Sequence, residues 1–548
     1  TLIALDGQIL NDGNTGDLDV SRFPVAAFRA LDVTEGLGPR DSEGSNTIGG
    51  AVNLLSLRPT RDPHHAFSLS VGSFGRTEGW YNTTGTHGRF GYALALDNQQ
   101  EHGWVDQDVL LCGDAACTNP PEPQHLGSSI SSRSALANLT WAFSPNADLG
   151  VRAFTMGNHR DESGVLNTPA DAAAQGPGDL FVGTGDALFS QNIRAYDVHS
   201  RAPLGAGSLA LDFSVSNNTV GFSGGALSPY DGAHQDKRNT LSAQWGRTFD
   251  NSEFEFGGYT RSESLLADGV DGLQHQAIQS YFARGAVHPS ERLRLNAALF
   301  ASHYSTFGSN LDGRFGMSYD LDSTSALRFS AGTGFRAPLL IERYVFPAAD
   351  LQPDANCVLQ GQGNAGLNPE HATEYEVGYS KTFASRANLD VALYRTNLRD
   401  PIENYYPLGA SCPGPAVPLM SFPINVANVI YQGAEVRFVQ QFDHLYLRAQ
   451  YGLNVAYPYN LPATVANPTS GGNLVGNAQF LNIPQQVGSL GLDWVNQTWH
   501  GALDATFRGN NNELNRPAFA VFNAGIGKRV SQGLDLSLAF TNLTNEAS

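Results

Sequence analysis

From about residue 65 onward, apolar and polar positions alternate with a period of two, the side-chain period of a β-strand. In the stretch 444–455, Leu445, Leu447, Ala449, Tyr451, Leu453 and Val455 share one face, opposite His444, Tyr446, Arg448, Gln450, Gly452 and Asn454. In 534–540, Leu534, Leu536, Leu538 and Phe540 stand against Asp535, Ser537 and Ala539. In 89–98, Phe90, Tyr92, Leu94 and Leu96 stand opposite small residues. About 21 such segments follow one another, which predicts an all-β, antiparallel structure whose strands each carry one greasy face and one small or polar face.

The connections say which kind of sheet this is. Short ones fall at 144–148, 202–207, 249–252, 288–291, 320–323, 383–387, 441–444 and 530–533, and long ones at 100–127, 158–190, 219–236, 336–370, 398–428 and 456–484. Short turns at one end and long loops at the other are the arrangement of a transmembrane barrel, with lipid on the greasy face and water on the other. A soluble propeller would show a repeat of about 40–50 residues, and none is visible. No run of about 18 apolar residues exists, but a β-strand crosses a bilayer with only about 9–11 residues, alternately apolar. A barrel of about 21 strands has a lumen too wide for its own side chains to fill, so something must occupy it. Residues 1–64 are the candidate plug, with Gly49 and Gly50 in its last strand, and residues 65–548 form the barrel.

Composition narrows the function. The 548 residues carry 33 basic and 52 acidic side chains, a net charge of −19, without a basic stripe, which argues against nucleic acid. Cys112, Cys117, Cys357 and Cys412 all lie in turn-rich polar segments. An even number placed in loops suggests disulfides, most simply Cys112–Cys117 and Cys357–Cys412. C-x4-C with no His or Cys nearby is a poor zinc pattern. No nucleophile, zinc-protease or phosphate-loop signature convinces, so neither catalysis nor a metal or cofactor site is expected. His64 and His65 read as a polar turn ahead of the first barrel strand, and Asp268 and Asp271 as a plain turn, since two carboxylates do not make a calcium shell. Trp80, Trp104, Trp141, Trp245, Trp494 and Trp499 read as belt or lipid-facing residues.

Several short motifs then occur in a recognisable order. Thr1–Leu10 has an Asp-Gly turn, Asp6 and Gly7; Val33–Pro59 has a Gly-Pro turn, Gly38 and Pro39, and then Gly49, Gly50, Asn53, Arg58 and Pro59. Further on come Phe335, Arg336, Ala337 and Pro338, the segment Leu367–Gly378, Gly433–Glu435, Asn482–Pro484 and Leu534–Leu543. In these motifs the chain resembles the TonB-dependent outer-membrane receptors over nearly its whole length. The resemblance implies about 22 barrel strands, so the chain is expected to lack the first part of the plug and the closing strand of the barrel.

The resemblance also implies a role. It points to energy-coupled uptake of a scarce nutrient through the outer membrane of a Gram-negative bacterium. The TonB–ExbB–ExbD complex would pull on the plug through a segment upstream of Thr1. The default ligand is a ferric siderophore; a saccharide, cobalamin or peptide, or passive channel function, are the alternatives. Haem is demoted, because residues 339–366 contain no His. Candidate ligand contacts are Arg40, which could meet an anion, and the loop aromatics Tyr344, Phe346, Tyr405 and Tyr406, which could stack on a ring, although an interfacial-belt role is the stronger reading of the tyrosines.

Overall fold

The computed structural model describes residues 1–14, 16, 18, 20, 22–37, 46–109, 122–162, 187–223, 231–345, 360–361, 363–384, 386–405, 420–426, 428–460, 479–480, 483–511 and 517–544. Its main body is one antiparallel barrel of twenty-one strands, each paired with the next in the sheet, from His64–Val71 to Leu534–Phe540. Because the number is odd, the first and last strands run the same way where they meet. Both are exposed along almost their whole length.

The alternation resolves as expected. Leu94, Leu96, Leu241, Leu299, Leu393 and Leu503 point away from the lumen and are exposed, while Ala95, Ile193, Ser280 and Phe300 point inward and are buried. At one end the strands are joined by very short turns, as between Ser144 and Ala147, Leu204 and Gly207, or Ser531 and Leu534. The long connections all lie at the other end. Three connections there, 72–76, 268–273 and 305–307, are nearly as short as the inner turns, which the simple alternation of short and long does not anticipate. His64 and His65 are also not a turn. They are the first two residues of the first barrel strand, paired with Thr84 and Thr83, and the His65 ring lies 3.1 Å from the Tyr81 hydroxyl.

Inside the barrel lies a small four-stranded sheet: β1 (Leu2–Leu5), β2 (Gln8–Ile9), β3 (Phe28–Thr34) and β4 (Ala51–Ser56), in the order β2-β1-β4-β3. Asp6 and Gly7 link β1 to β2 with φ of 47° and 89°, the two-residue hairpin turn that favours Asp-Gly. The sheet's apolar side sits on the wall: Leu5, Leu10, Phe23 and Leu54 pack with Leu136, Phe154, Met156 and Ile193. Those wall residues face the lumen, yet they are apolar because the inner sheet covers them.

Candidate functional site

Among the polar contacts that fix the inner sheet to the wall, three groups stand out. The first is centred on Arg152, whose side chain is only 4% exposed. Its Nη1 donates to Asp6 Oδ2 at 2.6 Å and its Nη2 to Gln8 Oε1 at 3.2 Å. The wall carboxylate of Asp197 lies 3.9 Å away. Asp6 uses its other oxygen to accept the Ser56 N–H at 3.1 Å, and Asn53 accepts the Gly7 N–H at 2.9 Å. The Asp-Gly turn is thus tied to β4 on one side and to the barrel on the other.

The second group surrounds Asp12. Its Oδ2 accepts from Asn218 at 3.1 Å and lies 2.7 Å from His234 Nε2. Beside it, Arg238 donates to the Asn11 carbonyl at 2.7 Å and to Asp236 at 2.8 Å.

The third group joins the segment ahead of β4 to the barrel. Leu37 is 3% exposed and lies on two wall glycines, Gly332 and Gly334; a Cβ at Gly334 would come within 2.6 Å of Leu37 Cδ2. The Leu37 N–H donates to Glu374 at 2.8 Å. Asn46, at φ 62°, donates its N–H to the Phe335 carbonyl at 2.8 Å and accepts the Ala337 N–H at 3.0 Å. Arg314 donates to the Thr47 hydroxyl at 2.8 Å.

Above this contact, toward the long loops, is a cavity of about 380 Å³. Its lining includes Asn11, Asp12, Arg238, Glu263, Arg336 and Glu342. Arg336 is bound by carboxylates on both sides, Glu342 at 3.1 Å and Glu370 at 2.8 Å. Glu342 belongs to the short helix α1 (Leu340–Tyr344) and accepts the Leu339 N–H at 2.7 Å. Glu370 accepts the Ile402 N–H at 2.8 Å, so this one cation gathers two outer loops.

With Glu403 nearby, three carboxylates share this one cation in little water, which leaves one carboxyl misfit. Burial pushes Glu403 up to about 7 from its ordinary 4.5, and the nearby Glu370 adds to the effect. Burial also raises Glu342, against the pull of Arg336. The folded state therefore prefers a protonated Glu403. Stability from this group is full below the unfolded value near 4.5 and is lost as pH rises toward about 7. Glu403→Gln, which mimics the protonated acid, is expected to stabilise the protein by about 1–3 kcal/mol at pH 8 and not at all at pH 4, read as thermal unfolding in detergent. An equal effect at both pH values would contradict this assignment.

A plugged barrel of this size has known counterparts. The family model described as TonB dependent receptor-like, beta-barrel, matches residues 41–543. The chain belongs to the TonB-dependent receptor family. Members of this family are receptors and transporters, not enzymes. The siderophore receptor PirA from Pseudomonas aeruginosa superposes with a TM-score of 0.71 at 13% identity, covering 100% of this chain and 88% of that one. A mutant of the ferric enterobactin receptor PfeA from the same organism gives 0.75 at 15%, covering 100% and 85%. The ferric-catecholate import receptor Fiu from E. coli gives 0.70 at 13%, covering 99% and 85%. At such identities the likeness is one of fold.

The receptor's sequence motifs now have places. Asp6, Gly7 and Asn53 form one hydrogen-bonded corner of the plug. Gly50 has φ of 82° and a Cβ there would collide with the Thr34 carbonyl, whereas a Cβ on Gly49 would find its nearest neighbour, the Thr1 backbone nitrogen, at 3.5 Å. The clash is with the plug's own backbone and not with the barrel wall, and of the two only Gly50 requires glycine. Both glycines precede β4 rather than forming part of it. Arg58 is exposed and Pro59 lies against Gly91 of the wall. Phe335 packs with Tyr259, Ile278, Tyr304 and Ala337, Arg336 holds the loop carboxylates, and Pro338 lines the cavity.

Of the proposed ligand contacts, Tyr344 packs on Leu265, Ala267 and Leu340, so it is neither a free platform nor a belt residue. Tyr405 ends the short strand Ile402–Tyr405. Arg40, Phe346 and Tyr406 lie outside the described residues, as do Gly38, Pro39, Cys112, Cys117, Cys357 and Cys412. Trp141, Trp245, Trp494 and Trp499 form a girdle on the outer surface at the short-turn end. Trp80 does not join them; it is paired with the buried Asp97 and faces the lumen. Asp268 accepts the Ala233 N–H at 2.7 Å, as a turn residue would. Sequence reasoning missed Arg152 and Leu37, whose partners Asp6 and Glu374 stand 146 and 337 residues away, and the Arg336–Glu342–Glu370 group, which forms only when the outer loops fold together.

Proposed function

We propose that the protein is an outer-membrane uptake receptor of a Gram-negative bacterium, that its ligand is a ferric siderophore, and that the TonB–ExbB–ExbD complex drives import by pulling on the plug. The observation that carries this reading is an inner sheet lodged in the lumen and tied to the barrel wall by polar contacts around Arg152, Asp12 and Leu37 as well as by one apolar face. A passive pore has no use for such a seal. The siderophore assignment draws support from the siderophore receptors among the structural counterparts and from a cavity between plug and outer rim that offers charged groups of both signs. Residues 1–64 act as the C-terminal part of the plug. One more antiparallel strand between Leu534–Phe540 and His64–Val71 would restore the alternation of direction at the seam. Arg40, Phe346, Tyr405 and Tyr406 remain the proposed loop contacts to ligand.

The ligand class is tested by growth. Cells that make no siderophore and carry this receptor as their only such importer are expected to grow on an iron-depleted medium supplied with a ferric catecholate. Growth only on a saccharide, cobalamin or peptide supplement would replace the siderophore with that class.

A further inference from the structure

The outer surface of the wall carries a shallow groove of about 310 Å³ that uptake does not use. Ala135, Ala137 and Ala153 form its floor, and Leu94, Leu96 and Tyr196 stand beside it. In the ladder, Leu94 faces Ala137, Leu96 faces Ala135, and Ala153 links Ala137 to Tyr196. Three small residues between larger ones leave room for an acyl chain.

Charge changes just beyond the groove. On the same faces of the same strands, the residue after Leu96 is Asn98, the residue beyond Ala135 is Arg133, and the residue beyond Tyr196 is Arg194, all exposed. Arg133 donates to Asn98 at 3.2 Å. Two strands further on, Lys237 lies in register with Asn217, which pairs with Arg194. Cations thus stand on alternate strands, about 10 Å apart from strand spacing alone. Their ladder partners are Asn98, Gly157, Thr155, Asn217 and Ser264, with no carboxylate among them. The protein as a whole has a net charge of −19, so this row runs against the overall balance.

We infer that this sector binds one molecule of lipid A, the doubly phosphorylated, multiply acylated disaccharide of the outer leaflet, with its phosphates on Arg133 and Arg194 and one acyl chain in the groove. Guanidinium groups at the upper edge of an apolar band meet phosphate with paired N–H donors where water is scarce. The long-loop end of the barrel places this edge in the outward-facing leaflet. The inference rests on the membrane reading above. Failure of the protein to enter the outer membrane would overturn that reading, whereas the outcomes below concern only the lipid.

The test titrates purified lipid A into delipidated receptor and counts bound molecules by native mass spectrometry. The parent is expected to retain one molecule. Arg133→Gln combined with Arg194→Gln is expected to weaken retention at least tenfold, and so is Ala137→Phe, which fills the groove. Arg395→Gln, an exposed arginine elsewhere on the same outer surface, is expected to leave it unchanged. All the arginine variants replace exposed side chains, and gel mobility before and after heating confirms that the barrel is folded. Equal retention by parent and double variant would overturn the inference. So would equal binding of lipid A stripped of phosphate, or equal competition by phosphatidylglycerol.

Discussion

Gly50→Val is expected to abolish uptake, while Gly49→Ala leaves it near the parent level. At position 50 the backbone has φ of 82°, and any Cβ would sit against the carbonyl of Thr34, with Gly36 N at 3.3 Å and Glu35 Cα at 3.5 Å. All three are backbone atoms of the adjacent plug segment, which a rotamer change cannot move aside. The left-handed conformation alone costs a β-branched residue about 1–3 kcal/mol, and the displaced Thr34–Leu37 segment adds to it. That segment carries Leu37 onto Gly332, Gly334 and Glu374, so the third group of plug contacts is lost together with the turn. Surface-exposed receptor that no longer imports would support this account. Normal uptake by Gly50→Val would remove the structural reason for a glycine in this position.

Arg152→Met is the second large effect. It removes a cation that is nearly completely buried and leaves Asp6 without its ion-pair partner inside the lumen, while Asp197 keeps His199 at 2.6 Å. Removing one partner of a buried ion pair costs about 3–5 kcal/mol, because the partner charge stays behind without compensation. The plug is expected to detach locally, so that the barrel conducts in a planar bilayer where the parent stays closed. The companion variant Arg152→Met with Asp6→Asn removes one of the stranded charges and is expected to recover part of the seal. Conductance indistinguishable from the parent in Arg152→Met would show that the plug is held elsewhere.

How much of this could be read in advance depends on which neighbours a residue has. Strand positions and their lipid faces were legible because alternation such as that of Leu445 to Val455 needs only the residues two apart. The Asp6-Gly7 turn and the glycine before β4 were legible because backbone conformation is local. Wall positions under the plug broke the rule. Leu136, Phe154, Met156 and Ile193 face the lumen yet are apolar, since the plug's Phe23 and Leu54 cover them. Trp80 likewise faces inward, a fact that depends on register with Asp97 rather than on its type. Tyr344 looked like a loop aromatic free to stack, but the helix α1 turns it onto Leu265 and Ala267. Arg152 stands in an ordinary alternating strand; nothing within its own segment announces that Asp6, 146 residues earlier, is its partner.

The most direct test of the central claim is uptake of a radiolabelled ferric siderophore by cells expressing the receptor, measured with and without functional TonB. Saturable import that disappears when TonB is lost is the predicted result. Import that continues unchanged without TonB would contradict an energy-coupled, plugged receptor and leave a passive channel in its place.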